Sequence, residues 1–169
     1  MRTDFDTRTF KDVMGSFPTG VAVITAIHDG APVGFTCQSF VSVSLEPPLI
    51  SLSPAKTSTT WPRIRASKTF CVNVLEESQA PLCAAFARSG GDKFTGVHWW
   101  PGPSGTPLLT GAAAWVECRL EIAHDAGDHE VAIAQVLSLA RGQGRPLVFC
   151  ESQFVQLKPL VSSADTVSR

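Results

Sequence analysis

The alternation of apolar and polar residues predicts a chain built mainly from short β-strands. Residues 20–27 (GVAVITAI) are almost continuously apolar and rich in β-branched side chains, which is typical of a strand buried on both faces. Asp29-Gly30 then predicts a tight turn, and residues 33–37 form the return strand of a hairpin. Residues 114–122 alternate strictly between apolar and polar positions. Further strands are predicted at 40–45, 49–52, 70–75, 131–140 and 147–154.

Only three segments show helical signals. Residues 5–17 place apolar side chains near helical spacing, and residues 59–67 predict a short helix. Ser78 is a candidate N-cap for a third helix. Residues 89–111 hold many glycines and prolines and predict one long loop. Strands joined mostly by turns favour an antiparallel barrel with a few short helices, whereas a doubly wound sheet would interleave strands and helices regularly.

The length of 169 residues predicts one domain, which we place at residues 1–157, followed by a polar C-terminal tail at 158–169. Apolar residues make up 44% of the chain and charged residues 17%. So low a charge fraction indicates that some surface is covered, either by a second subunit or by a ligand in a pocket.

Charge, apolar runs and cysteine content argue against several classes of protein, namely nucleic-acid-binding, secreted, membrane-spanning and disulfide-rich proteins. The net charge is −1, and the basic residues are scattered, so the sequence predicts no nucleic-acid partner. We expect no signal peptide, because the first ten residues lack an apolar core, and no membrane span, because no apolar run approaches about 20 residues. The five cysteines are odd in number and contain no C-x-x-C pair, which favours reduced thiols in the cytoplasm.

Several common catalytic and phosphate-binding motifs are absent from the sequence. There is no G-x-G-x-x-G after a strand, no G-x-x-x-x-G-K-[ST], no H-E-x-x-H and no G-x-S-x-G. A phosphate-bearing ligand would therefore need another kind of binding site.

The stretch SPAKTSTTWPRIR (53–65) offers such a site. Its hydroxyl side chains could donate hydrogen bonds to phosphate oxygens, and Lys56 adds a positive charge just before a predicted helix. The same residues could instead serve only as a helix cap.

Three other segments carry candidate binding residues. GFTCQSFVSVS (34–44) sets hydroxyls among apolar residues, where they bond either each other or a polar heterocycle. FARSGGDKF (86–94) brings Arg88 and Lys93 around two glycines, facing either solvent or an anionic ligand. HDAGDHE (124–130) is a hairpin turn in which we expect no metal, and His129 is a candidate ligand contact.

Taken together and in this order, these segments resemble the flavin reductase family, the small NAD(P)H:flavin oxidoreductases with an FMN-binding split-barrel fold. FPTGVAVITA (17–26), SPAKTSTTWP (53–62) and FCVNVL (70–75) contribute to the resemblance, and it covers roughly residues 8–157. SFVSVSLEPPL (39–49) and AGDHE (126–130) are the most specific parts. The resemblance implies a mainly β, antiparallel split β-barrel.

The resemblance also implies which residues bind the ligands. The isoalloxazine and ribityl chain would contact Thr36, Cys37, Gln38, Ser39 and Ser42. The phosphate would contact Ser53, Lys56, Thr57, Ser58 and Thr59, with Phe86, Arg88, Lys93 and Phe94 closing the other side. His129 would position the nicotinamide, flanked by Thr19 and Phe154. Cys37 and Gln38 depart from the family's usual small or amide residues, and Phe154 lacks the hydroxyl often found near that point.

The implied function is hydride transfer from NADH or NADPH to FMN or FAD by a cytoplasmic homodimer that supplies reduced flavin to a separate monooxygenase. Two alternatives stay open at this point. One is a flavin or haem carrier without catalytic activity, and the other is a reductase that keeps its flavin and reduces a different acceptor. The sequence chooses neither between FMN and FAD nor between NADH and NADPH, and it does not identify the partner oxygenase.

Overall fold

A computed structural model describes residues 3–159, and it confirms the predicted mainly β, antiparallel architecture. The strands are β1 (Thr19–Gly20), β2 (Ala22–His28), β3 (Ala31–Cys37), β4 (Val41–Leu45), β5 (Pro48–Leu52), β6 (Thr69–Val74), β7 (Trp99–Pro101), β8 (Pro107–Leu109), β9 (Ala114–Ala126), β10 (His129–Arg141), β11 (Val148–Cys150) and β12 (Gln153–Val155). The helices are α1 (Thr7–Gly15), α2 (Trp61–Ser67) and α3 (Ala80–Ala87).

Seven of these strands form one antiparallel sheet in the order β3-β2-β6-β9-β10-β5-β4. Its longest pairing joins β9 to β10 through a tight turn at Gly127, whose φ of +64° suits glycine. β1, β11 and β12 form a second sheet, and β7 with β8 forms a two-stranded ribbon.

The continuous apolar pattern of β2 is explained by cores on both of its faces. Ile24 packs in a first core with Phe70 and with Trp61 and Ile64 of α2. Val23, which points the other way, packs in a second core that includes Phe86 of α3. Because successive side chains of a strand alternate between faces, a strand between two cores must be apolar throughout.

Three local predictions need correction or refinement. Ser78 is not an N-cap of α3, because it lies in a short 3-10 turn that is capped by Glu76, whose carboxylate accepts from the Ser78 N–H at 2.8 Å. The long loop at 89–111 contains β7 and β8. Glu117 faces away from Cys118 as the alternation predicts, yet it is buried, since the 102–106 segment covers it.

Helix α1 confirms the first predicted helix and begins after Asp6, whose carboxylate accepts from the Thr9 N–H at 2.8 Å. Its apolar side chains find no cover within the described residues, and Phe10 is 52% exposed. The single-domain boundary at 1–157 stays a prediction. The predicted tail at 158–169 lies outside the described residues from position 160 onward.

Candidate active site

A cavity of about 400 Å³ lies beside the end of β3, between residues 53–60 on one side and the end of α3 on the other. This volume is in the range of small-molecule and cofactor pockets. Its lining residues are Phe35, Thr36, Cys37, Gln38, Ser39, Ser53, Pro54, Ala55, Thr57, Ser58, Thr59, Thr60, Phe86, Ala87, Arg88, Ser89, Lys93 and His129.

Residues 53–60, which we call the hydroxyl side, are attached to the β9–β10 hairpin. The backbone N–H of Lys56 donates to the Asp128 carbonyl at 2.9 Å, and the N–H of Glu130 donates to the Pro54 carbonyl at 3.0 Å. The Lys56 ammonium forms an ion pair with Asp125 at 3.0 Å. The hydroxyl side therefore continues the main sheet beyond the start of β10, which places His129 next to it.

Ser58 begins the turn that leads into α2. Its Oγ accepts from the N–H groups of Thr60 and Trp61 at 3.3 and 3.1 Å. Helix α2 has only seven residues, with proline in its first turn. Capping uses the lone pairs of the Ser58 oxygen and leaves its proton free to donate, so the capping and ligand hypotheses are compatible.

The end of β3 forms the wall between the two sides. Thr36 Oγ1 donates to the Cys83 carbonyl at 2.7 Å, and Ser39 Oγ accepts from the Ser53 N–H at 2.7 Å. Cys37 lies 3.3 Å from the Ser39 hydroxyl, and burial raises the pKa of its thiol. Cys37 is thus a neutral, compact group in the wall and not an activated nucleophile.

Residues 88–95, which we call the glycine loop, close the far side. Gly90 and Gly91 both adopt left-handed conformations, with φ of +73° and +74°. The Lys93 ammonium donates to the carbonyls of Gly34 and Phe86 at 3.2 and 3.0 Å, and burial lowers its pKa. Two carbonyls use two of its three N–H donors, which leaves one for a ligand.

The imidazole of His129 is oriented by its neighbour. Its Nδ1 lies 2.8 Å from an Asp128 carboxylate oxygen, and this hydrogen bond lowers the pKa of Asp128. A carboxylate at Nδ1 favours the tautomer with its proton on that nitrogen and leaves Nε2 for other contacts.

The structure brings most of the predicted site residues together, but five lie outside the cavity lining. Lys56 is held by Asp125, and Ser42 is exposed on β4. Phe94 packs edge-on against Phe86, with ring centroids 5.0 Å apart. Thr19 and Phe154 belong to the separate β1-β11-β12 sheet.

Sequence analysis missed six lining residues, each of which is a chain neighbour of a predicted one. They are Phe35, Pro54, Ala55, Thr60, Ala87 and Ser89. Extending each predicted segment by one residue would have found them. Thr60 and Ser89 carry the same hydroxyl signal as the predicted residues, whereas the other four side chains are small or apolar and gave no chemical signal.

Residues 3–159 contain no cluster of three or more histidine, cysteine or acidic side chains arranged to hold a metal ion. No helix in this part of the chain has the length and apolar character needed to cross a bilayer.

Comparison with known proteins identifies relatives along nearly the whole chain. Residues 14–158 match the flavin reductase like domain family. The chain is 50% identical over 155 residues to the reductase subunit HsaB of a flavin-dependent monooxygenase from Rhodococcus jostii, covering 91% of this chain and 80% of that protein. It is 41% identical over 149 residues to the NADH-dependent FMN reductase SmoA of Agrobacterium fabrum, covering 88% of this chain and 85% of that protein.

Solved structures agree with these relatives. The nitrilotriacetate monooxygenase component B of Mycobacterium thermoresistibile superposes with a TM-score of 0.86 at 40% identity, covering 97% of this chain and 96% of that one. The NADH:FAD oxidoreductase SgcE6 of Streptomyces globisporus, in complex with NAD and FAD fragments, gives a TM-score of 0.88 at 34% identity, covering 96% and 99%. The predicted split-barrel fold is confirmed, although the hydrogen-bonded sheet of this chain is open between β3 and β4.

Proposed function

The chain belongs to the flavin reductase family, and from that premise we propose that it transfers hydride from NADH or NADPH to FMN or FAD and supplies reduced flavin to a separate monooxygenase. The observation that carries this proposal is the composition of the cavity. Hydroxyl groups line one side, two cations line the other, and a buried strand with a neutral thiol lies between them. The one thiol in the cavity lining, Cys37, is not activated, and residues 3–159 contain no cluster arranged to hold a metal ion.

The cavity fits a flavin phosphate at its hydroxyl side. Thr57, Ser58 and Thr59 present hydroxyl donors there, and the ammonium of Lys93 faces the same cavity from the glycine loop. Hydrogen bonds from charged and hydroxyl groups are the contacts that phosphate oxygens need. Lys56, held by Asp125, contributes its charge from just outside the lining.

When bound, the nicotinamide and the flavin would supply the redox chemistry, as hydride donor and hydride acceptor. The residues of this chain bind and orient the two rings, since reacting atoms must approach to about 3–3.5 Å. The backbone and hydroxyls at Thr36–Ser39 face the cavity and would hydrogen-bond the polar edge of the ring. His129 positions the nicotinamide and transfers no proton.

Steady-state oxidation of NADH and of NADPH, with FMN, FAD and riboflavin added in turn, tests this function. We expect purified protein to be colourless and to oxidise the nicotinamide only when flavin is added. Yellow protein without such activity would indicate a carrier, and activity without added flavin would indicate a reductase that keeps its cofactor.

Substitution of His129 tests the nicotinamide site. We expect His129→Ala to raise the KM for NADH about fivefold, which corresponds to loss of one hydrogen bond of about 1 kcal/mol. The Kd for flavin, measured by fluorescence quenching, should stay unchanged. An unaltered KM for NADH would remove His129 from this role.

We further propose that the chain works as a homodimer. Leu45 of edge strand β4 is 90% exposed, and Val43 of the same strand and Met14 of α1 are both more than half exposed. Apolar side chains on an edge strand and on an uncovered helix face support contact with a second copy. Sedimentation velocity should give a dimer for the wild-type protein and a monomer for Leu45→Lys with Val43→Lys.

Two smaller parts of the proposal concern organisation and location. Residues 1–157 would act as one catalytic domain. The five cysteines are all free thiols in the structure, and four of them are buried, which supports a reducing compartment such as the cytoplasm. Titration of all five thiols in freshly isolated, denatured protein would test this assignment.

A further inference from the structure

Lys56 lies among residues that line the main cavity of about 400 Å³, but its side chain is directed elsewhere. Its chain neighbours Ala55 and Thr57 both line this cavity, whereas Lys56 does not. The Lys56 ammonium lies 3.0 Å from a carboxylate oxygen of Asp125 on β9, and Asp125 is also outside the lining. The one lysine of the hydroxyl side is therefore held away from the position where a phosphate would bind.

The backbone of Lys56 is fixed, while its side chain is free to turn. Its N–H donates to the Asp128 carbonyl at 2.9 Å, and the turn that follows is closed by the Ser58 N–H, which donates to the Ala55 carbonyl at 3.0 Å. The side chain is 41% exposed, and a lysine carries its charge on a flexible four-carbon stem. Rotation about this stem can move the ammonium between Asp125 and the cavity while the backbone stays in place.

The carboxylate of Asp125 is a weak competitor for this ammonium. The Asp125 side chain is 81% exposed, and an exposed ion pair changes an equilibrium by no more than about fivefold. A phosphate monoester carries a charge of about −1.5 to −2 at pH 7, so it attracts the ammonium more strongly than a single carboxylate does. The ion pair must break before Lys56 reaches a phosphate, which lowers the affinity for the phosphate by the strength of the pair.

The pair of Lys56 with Asp125 lies close to the cavity. The hydrogen bond and the charge of His129 lower the pKa of Asp128, and the charge of Lys56 lowers it further, to a smaller extent. Since His129 lines the cavity, the lysine acts on a carboxylate that is bonded to a lining residue.

We propose that Asp125 competes with the flavin phosphate for Lys56 and thereby keeps the binding of FMN weak enough for reduced flavin to leave. This inference rests on the proposed flavin reductase function, because a reductase that supplies a separate monooxygenase must release its product. Asp125 itself contacts no ligand, and it sets the affinity for the phosphate through Lys56.

A double-mutant cycle tests the competition. The Kd values of FMN and riboflavin are measured by flavin fluorescence, without nicotinamide, on wild-type protein, Asp125→Asn, Lys56→Met and the double variant. We expect Asp125→Asn to bind FMN about threefold more tightly than wild-type protein and riboflavin equally well, because riboflavin has no phosphate. Lys56→Met should weaken FMN, and adding Asp125→Asn to it should change nothing further.

Two further variants serve as controls. Glu121→Gln removes the same charge from the same strand, at a residue that does not line the cavity, and should leave the Kd for FMN unchanged. Asp125→Glu restores the carboxylate and should return FMN binding close to the wild-type value. Structural damage does not explain tighter binding of one flavin, so the expected gain in affinity for FMN alone is specific to the competition.

The direction of the change in FMN binding decides the outcome. Weaker FMN binding in Asp125→Asn would show that Asp125 directs Lys56 towards the phosphate and would overturn the proposal, as would an unchanged Kd. Equal tightening in the Lys56→Met background would assign the effect to direct repulsion between Asp125 and the phosphate. Unchanged FMN binding in Lys56→Met would show that the lysine never reaches the phosphate. Either of these two results also overturns the proposal.

The rate of flavin release provides a second measurement. Stopped-flow fluorescence should show FMN leaving Asp125→Asn about threefold more slowly than wild-type protein, because affinity differences between related complexes arise mostly in dissociation. Tighter binding with an unchanged rate of release would overturn the role of Asp125 in release.

The nicotinamide nucleotide also carries phosphates, and its KM distinguishes the two sources. With FMN saturating, the KM for NADH should be the same in Asp125→Asn and wild-type protein. A lowered KM for NADH with unchanged FMN binding would assign Lys56 to the nicotinamide nucleotide and overturn the flavin assignment. Absence of NADH oxidation with every flavin would refute the reductase function alone, because the binding results are obtained without turnover.

Discussion

The two sides of the main cavity are held in place by different kinds of contact. The hydroxyl side is anchored by residues far away in the chain. Glu130 accepts from Trp61 Nε1 at 2.6 Å and from Arg65 at 2.8 Å, and it thereby attaches α2 to the start of β10. Trp61 is 3% exposed and Ile64 is fully buried, so the helix is also fixed by core packing.

The glycine loop is held mainly by contacts within itself. Asp92 accepts from the N–H of Phe94 and from the hydroxyl of Thr95, which are both within three residues of it. Its longer-range links are the Lys93 ammonium, which donates to the Gly34 and Phe86 carbonyls, and the Phe94 ring, which packs edge-on against Phe86. A Cβ added to Gly90 or Gly91 would meet open space, so no packing fixes the loop there.

This difference indicates how the cavity recognises its ligand. A side held by core packing and long-range hydrogen bonds has its binding groups placed before the ligand arrives. A loop held by a local turn, one lysine and one partly buried ring belongs to the less stable parts of a fold and can adjust around the ligand. We therefore expect mutations on the hydroxyl side to affect stability most, and mutations in the glycine loop to affect binding most.

The largest effect is expected from Glu130→Ala. This change leaves the buried Trp61 Nε1–H without an acceptor and Arg65 without its partner. A buried donor that loses its acceptor costs about 1–3 kcal/mol. We expect Glu130→Ala to lower the free energy of unfolding, measured with urea, by an amount near the upper end of this range. Flavin binding should weaken as well, because α2 follows the hydroxyl side directly.

Glu121 offers a matched control on the same sheet. Its ion pair with Arg119 is about half exposed on both sides, so Glu121→Ala should cost between 0 and about 1 kcal/mol. Glu130→Gln, which keeps an acceptor oxygen for Trp61, should fall between the two. Equal losses for Glu130→Ala and Glu121→Ala would contradict the anchoring role of Glu130.

This anchoring contact also marks where sequence analysis reached its limit. The strands and α2 could be predicted from local periodicity and turn residues, because the pattern that identifies a strand or a helix lies within a short window of sequence. The pairing of Glu130 with Trp61 joins residues 69 positions apart, and no local pattern encodes it. Likewise, the burial of Glu117 depends on a loop that folds over it from 102–106.

The candidate site also contains residues that local sequence patterns predict and residues whose position depends on long-range contacts. Residues in contiguous polar segments, such as 36–39 and 57–59, line the cavity, and their contacts with flavin stay a prediction. Lys56 lies outside the lining because Asp125, on a distant hairpin, takes its ammonium. A second cavity of about 180 Å³ forms where Arg63 of α2 and the glycine loop meet in space, and no local pattern in the sequence predicted it.

On the glycine loop, Lys93→Met should weaken FMN about tenfold, which is the loss expected for one charged hydrogen bond of about 1.5 kcal/mol. Methionine keeps the apolar stem, so the free energy of unfolding should fall by less than about 1 kcal/mol. Fluorescence titration and urea unfolding measure the two quantities, with Lys11→Met on exposed α1 as the control. If Lys93→Met lowered the free energy of unfolding as much as Glu130→Ala, the two sides of the cavity would not differ in the way proposed.

Ser58 allows the capping and binding roles of the hydroxyl side to be separated. Ser58→Ala removes both the acceptor for the Trp61 N–H and the hydroxyl donor. We expect stability to fall by about 1 kcal/mol and FMN binding to weaken more than riboflavin binding does. Ser58→Asp restores the acceptor but places a negative charge near the phosphate. We expect its stability to be close to wild type and its FMN binding to be weaker still. If the binding of FMN and that of riboflavin weaken equally in both variants, Ser58 caps the helix and does not contact the phosphate.

The smallest effect concerns the acid stability of the glycine loop. The hydrogen bond from Thr95 and the Phe94 N–H hold the pKa of Asp92 below its ordinary value of 3.8. Because the folded-state pKa is the lower one, the stability contributed by Asp92 is fully present above about pH 4 and is lost as the pH falls through the folded-state pKa. The difference in unfolding free energy between wild-type protein and Asp92→Asn, measured with urea, should therefore be constant from pH 7 to pH 5 and shrink at lower pH. A difference that changes between pH 7 and pH 5 would show that Asp92 does not hold the loop through its carboxylate in the way the structure indicates.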